Sequence, residues 1–180
     1  MKDHYDFELL TPCFCHGANP CECEMRIPSI RGHLRRWHTL LYGEADMEST
    51  WGTAHGGVIS SKVILRLVPL DRQSEPMTNQ RVLPHIKGGD KAFSRRALSS
   101  GNRYRILVSF RPMCSDQIRE KGDRVIMAWL YLGGVGMRST RAFGSVWPLD
   151  SQPNWNAFKD AVMIPGKRMA IAVSAQALQK

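Results

Sequence analysis

The sequence predicts an α+β fold of the ferredoxin-like type, an antiparallel four-stranded sheet with two helices on one face and long loop insertions. Two observations lead there. Three segments alternate apolar and polar residues, two others repeat apolar residues at helical spacing, and a short final segment, AFGSVWPL, closes the series as a strand. Their order, strand, helix, strand, long loop, strand, helix, Gly-rich loop, strand, is that of a βαββαβ unit.

Tyr5 to Thr11 (YDFELLT) reads as the first strand, with Tyr5, Phe7 and Leu9 on one side and acids on the other. The Cys-rich connection CFCHGANPCECE follows. Ser29 is the expected N-cap of a helix from about Ile30 to Leu41, whose buried stripe is Ile30, Leu34, Trp37 and Leu41. Arg31, Arg35 and His38 fall on another face of it. After the Gly-rich WGTAHGG loop, Val63, Leu65 and Leu67 alternate with Lys62, Ile64 and Arg66 as a half-buried strand. Residues 71–102 lack periodicity and read as a long basic insertion projecting from the fold. Arg103 to Arg111 is a strand with Tyr104, Ile106, Val108 and Phe110 inward. The second helix spans about Asp116 to Leu132, with Ile118, Val125, Trp129 and Leu132 as its stripe.

At 180 residues, 43% hydrophobic and 23% charged, the chain suits one domain, expected over residues 1–150. Residues 151–180 form an extension expected to dock on that domain or on a neighbour. No apolar run approaches the ~18 residues that span a bilayer, and MKDHYDFELL has no signal-peptide pattern. The expectation is a soluble cytoplasmic protein without a membrane partner.

Charge is segregated. Residues 1–25 carry five acids and one lysine, residues 26–36 carry four arginines and no acid, and residues 81–111 carry eight cations against Asp90. With a formal net charge of +9, such blocks gather polyanions. Cys13, Cys15, Cys21 and Cys23 lie within eleven residues. Without a secretory signal they do not read as a disulfide framework. Four thiolates suit tetrahedral zinc, but one residue between paired cysteines is closer than the usual ~2–4. Zinc and buried packing thiols are therefore the two readings, with no cofactor as the primary expectation.

Three segments carry a family resemblance: LLTPCFCHGANP with EMRIPSIRGHLRRWHTLLYG, then WGTAHGGVISSKVILRL, then LGGVGMRSTRAFGSVWP. Together, over roughly residues 5–150, the chain resembles the RAMP superfamily of CRISPR effector subunits. It is most similar to the subunit-one family of the type III-B (Cmr) complex, of which it corresponds to the first ferredoxin-like unit only. The resemblance implies an RRM-related fold inside a ribonucleoprotein. Its partners would be guide RNA, target RNA and other CRISPR effector subunits, and its role antiviral interference.

The residues themselves suit a sugar–phosphate strand. Gly133, Gly134 and Gly136 let backbone come close, and Arg138, Ser139, Thr140 and Arg141 add guanidiniums and hydroxyls. The competing reading is a tight turn packed on its own sheet. Arg31, Arg35 and Arg36 are a second cationic set, or a solvated helix face. Lys87, Lys91, Arg95 and Arg96 are read as a finger closing over nucleic acid, or as a plain basic loop or protein contact. Trp51 stacks on a base or anchors packing. The resemblance further implies an RNA-cutting acid in some relatives, for which Asp46 in GEADMEST is the candidate, with an ordinary exposed loop acid as the alternative. His33, His38, His55 and His85 are weaker acid–base candidates, none paired by the sequence. The leading expectation is a non-catalytic RNA-binding subunit. The alternatives are a RAMP ribonuclease, and a protein-interaction module of the same complex.

Overall fold

The chain runs β1 (His4–Leu9), α1 (Ile27–Tyr42), α2 (Glu44–Trp51), β2 (Val63–Pro69), β3 (Met77–Arg81), β4 (Ser94–Ala97), β5 (Arg103–Phe110), α3 (Asp116–Leu132) and β6 (Val146–Pro148). This computed structural model describes residues 3–19, 22–54, 57–81 and 94–149. β2, β5, β1 and β6 lie side by side in that order, every neighbouring pair antiparallel. With β3 and β4 set aside as an inserted pair, this is the ferredoxin-like arrangement. The expected extension over 151–180 lies outside the described residues.

Register explains the core. Tyr5 faces Ile106, Phe7 faces Tyr104, and Leu65 faces Val108, so the apolar residues of three strands share one face. α1 and α3 cover that face with Ile30, Leu34, Val125, Ile126 and Trp129, all buried. The Phe7 ring stacks on Tyr104 and meets Trp129 edge-on, each at 5.5 Å between centroids.

Several expectations need correction. α1 begins at Ile27, before the expected Ser29 cap, because Pro28 sits in the first turn, where its fixed φ and missing N–H cost nothing. His38 takes the buried place expected for Trp37. Its ring is satisfied by Asp46 and Trp51, so burial leaves no polar atom unpaired. Leu132 is 37% exposed at the end of α3, and Ala128 and Leu130 are buried instead. The acids after Gly43 are not in a loop: they start α2, where Glu44 and Asp46 suit the positive end of the helix dipole. The insertion contains the antiparallel pair β3–β4, which short polar strands with a register shift conceal from a periodicity reading. Among the described residues, no helix is long and apolar enough to cross a membrane.

Candidate functional site

The loop after α3 is clamped to the Cys-rich connection after β1. Met137 N–H donates to Phe14 O and Gly144 N–H to Pro12 O, both at 2.9 Å. Cys13 in turn exchanges both backbone hydrogen bonds with Leu98, next to β4. Three segments remote in sequence thus form one rigid rim. Gly136 serves this closure, and Gly133 is pressed against the last turn of α3. A Cβ on Gly133 would lie 2.5 Å from Trp129 O, and one on Gly136 would lie 2.6 Å from Phe14 O with the backbone at φ 84°. At both positions an added side chain would collide with backbone of the same chain. Gly134 is buried beside them.

What the loop turns outward is its side chains. Ser139–Arg141 form a single 3₁₀ turn flanked by Arg138 at φ 60° and Ala142 at φ 64°. Two left-handed non-glycine residues cost about 1–2 kcal/mol each, and such strain gathers at functional positions. The turn is held at its far end, where Ala142 O accepts from Thr11 Oγ1 at 2.6 Å and Ser145 Oγ at 3.0 Å. Thr140 and Arg141 are exposed, and Arg138 and Ser139 half-buried.

Beside this turn run two adjoining depressions. The smaller, about 170 Å³, lies between α1 and the loop and includes His33, Arg36, Trp37, Leu40, Ser139 and Thr140. The larger, about 440 Å³, includes Phe14, Cys15, His16, His33, Arg95 and Met137. His33 belongs to both. Burial and the neighbouring Arg36 charge lower its pKa, so its imidazole is neutral near pH 7.

The charges on the two sides of the molecule differ. On the helix-free face of the sheet, Arg105 forms a bidentate pair with Asp6 at 2.6 Å and Arg103 binds Glu8 at 3.1 Å. Around the grooves, by contrast, no ion pair to a carboxylate is found for Arg36, Arg96, Arg138 or Arg141 among the described residues. Arg36, Arg96 and Arg141 are exposed. These four guanidiniums make the rim locally positive.

Other residues singled out by the sequence lie elsewhere. Arg31 and Arg35 stand on another face of α1, where their guanidiniums donate to Val63 O at 3.4 Å and Gly52 O at 2.6 Å. Lys87 and Lys91 lie outside the described residues, as do His55, His85 and Cys21. Asp46 Oδ1 accepts from His38 Nε2 at 2.8 Å, and Oδ2 accepts from Lys121 Nζ. Trp51 Nε1–H donates to His38 Nδ1 at 2.9 Å, which fixes the imidazole proton on Nε2. This chain ties α2 to α1 and α3. Trp51, 2% exposed, is a packing anchor there. Burial lowers the His38 pKa against the opposing pull of Asp46. Burial alone would raise that of Asp46, but hydrogen bonds from Lys121 and His38 outweigh it and lower it.

Cys13 and Cys15 are buried and Cys23 half-buried. The Cys13 thiol has two acceptors in reach, Cys15 Sγ and Val135 O. Hydrogen bonding from Cys13, against burial, and then from Ser29 and the Arg26 backbone lowers the Cys15 thiol to about 6. Among the described residues no three His, Cys, Asp or Glu side chains are grouped to hold a metal ion. The sequence pointed to the loop arginines and Arg36. It missed Trp37, Leu40 and Met137 as groove walls, because their apolar character signals core and only the tertiary fold opens them to a cleft; Phe14, 1% exposed, stays buried beneath.

The RAMP superfamily model matches residues 6–147. No match was found among curated proteins. Among solved structures, Cmr1 from Pyrococcus furiosus, in its apo form, is 20% identical with a TM-score of 0.58, over 87% of this chain and 51% of that one. A chain of the type III-B Cmr-beta complex bound to cognate target RNA is 13% identical with a TM-score of 0.57, over 81% and 57%. A chain of a type IV-B CRISPR complex is 16% identical with a TM-score of 0.57, over 96% and 94%. The chain thus spans about half the length of Cmr1.

Proposed function

This chain belongs to the RAMP superfamily, and we propose that it is a non-catalytic RNA-binding subunit of a type III-like CRISPR ribonucleoprotein effector. It holds guide RNA, target RNA or both during antiviral interference in the cytoplasm, beside other effector subunits. One observation carries the reading: four arginines without carboxylate partners among the described residues, Arg36, Arg96, Arg138 and Arg141, gather at the groove rim. A sugar–phosphate strand needs cations and hydroxyl donors along one track, and Arg36, Arg138, Ser139, Thr140 and Arg141 supply both. Arg95 and Arg96 continue the positive edge on β4. Similarity to subunits of assemblies named for Cmr and type IV-B complexes supports the CRISPR setting.

The rim holds the strand by its sugar–phosphate backbone. The protein does not read the sequence, and pairing between guide and target supplies specificity. Asp46 has a different office in this reading, since its carboxylate joins three helices through His38 and Lys121. The test is fluorescence anisotropy of labelled single-stranded RNA with the full chain, alone and in its assembled complex, across a salt series. Affinity should fall steeply with log salt and vary little with sequence. No binding at low salt in either form would overturn the proposal.

A further inference from the structure

We propose that the larger depression is a pocket for one unpaired nucleobase of the bound strand, a reading that rests on the RNA-binding role above. Its volume of about 440 Å³ falls within the ~300–1,000 Å³ of small-ligand clefts. Its lining is unlike a phosphate site. Arg95 is the only Lys or Arg among the described residues of its wall, His33 is neutral, and the remainder includes apolar Met137, the small Ser29 and the buried ring of Phe14. Flat imidazoles, apolar surface and a few polar edges are what an unstacked base requires.

The polar groups are fixed in kind. His16 Nε2 lies 3.0 Å from Arg96 O. A carbonyl only accepts, so Nε2 carries a proton directed at it. Neutral His33 carries one donor and one acceptor. The Arg95 guanidinium lies 3.6 Å from Met137 Sδ, a planar cation of the kind that stacks on bases. Position completes the argument. His33 is the common wall of this pocket and of the smaller depression, which carries Arg36, Ser139 and Thr140. A nucleotide with its phosphate at the hydroxyls and guanidiniums and its base turned past His33 occupies both.

The experiment compares a labelled uridine decamer with a decamer of the same backbone lacking bases, using the full chain. Wild-type protein should prefer the uridine strand by about 5- to 150-fold, the range of one stacked base. Ser29→Leu, which fills the pocket from its half-buried wall, and His33→Ala should each reduce that preference at least fivefold while the abasic strand binds as before. His33→Ala decides alone if Ser29→Leu fails to fold by circular dichroism. Equal binding of both strands by wild type, or a preference unchanged in the folded variants, overturns the pocket and leaves RNA binding intact. Loss of binding to both strands by wild type defeats the RNA-binding reading itself. Free uridine monophosphate at equal nucleotide concentration should not displace the decamer. Displacement would make this a free-nucleotide site and overturn the proposal.

Discussion

Replacing Arg138 and Arg141 together by alanine should halve the salt dependence of RNA binding. Each phosphate neutralised on a single strand contributes about −0.7 to the slope of log affinity against log salt. The rim holds four arginines without carboxylate partners among the described residues, Arg36, Arg96, Arg138 and Arg141. If each meets one phosphate, the wild-type slope is about −2.8 and that of the double variant about −1.4. Between 50 and 200 mM salt the wild type should then lose about 50-fold in affinity and the variant about 7-fold. Arg103→Ala is the matched control, since that guanidinium already binds Glu8 and lies near Asp71. It is expected to leave the slope unchanged. Anisotropy titrations at four or more salt concentrations measure all three slopes. A double variant with the wild-type slope, or an Arg103→Ala variant that loses as much, would refute the assignment of the rim as the phosphate track.

Acid should destabilise the fold in two stages. His38 and Asp46 both have folded pKa values below their ordinary 6.5 and 3.8, so the unfolded chain binds more protons. Stability therefore falls as pH drops first below about 6.5 and again below about 3.8. Melting temperatures of wild type and His38→Gln across pH should differ in the first stage, and identical profiles would remove His38 from the explanation. Asp46→Asn should cost about 1.5–3 kcal/mol in urea unfolding through its charged hydrogen bonds while RNA affinity at pH 7 is retained; a loss of target cutting without loss of stability would instead support the ribonuclease reading. Gly136→Ala forces an alanine to φ 84° with its Cβ 2.6 Å from Phe14 O, and should cost at least about 1–2 kcal/mol. Unchanged stability would show that the loop is not clamped as described.

Most of the sheet was legible in the residues because its signal is local. Tyr5, Phe7 and Leu9, and likewise Tyr104, Ile106 and Val108, alternate with polar neighbours, and that period survives any environment with one buried face. α3 was legible over Asp116–Leu132 for the same reason. Where tertiary partners overrode the local pattern, reading failed. Polar His38 is buried because Asp46 and Trp51 satisfy it, and Trp37 is displaced to a groove wall. The β3–β4 pair has too little alternation to be seen.

By itself the chain determined which segments alternate, which coil, and that positive charge is concentrated in blocks around residues 26–36 and 81–111. Only the folded molecule decided which of those charges remain unpaired. Arg105 and Asp6 are 99 residues apart, yet their oxygens and nitrogens meet at 2.6 Å. The groove likewise exists because Phe14, His33, Arg95 and Met137 converge from four separate segments. Side-chain periodicity is a property of neighbours along the chain, whereas neutralisation and concavity depend on distances that folding alone sets.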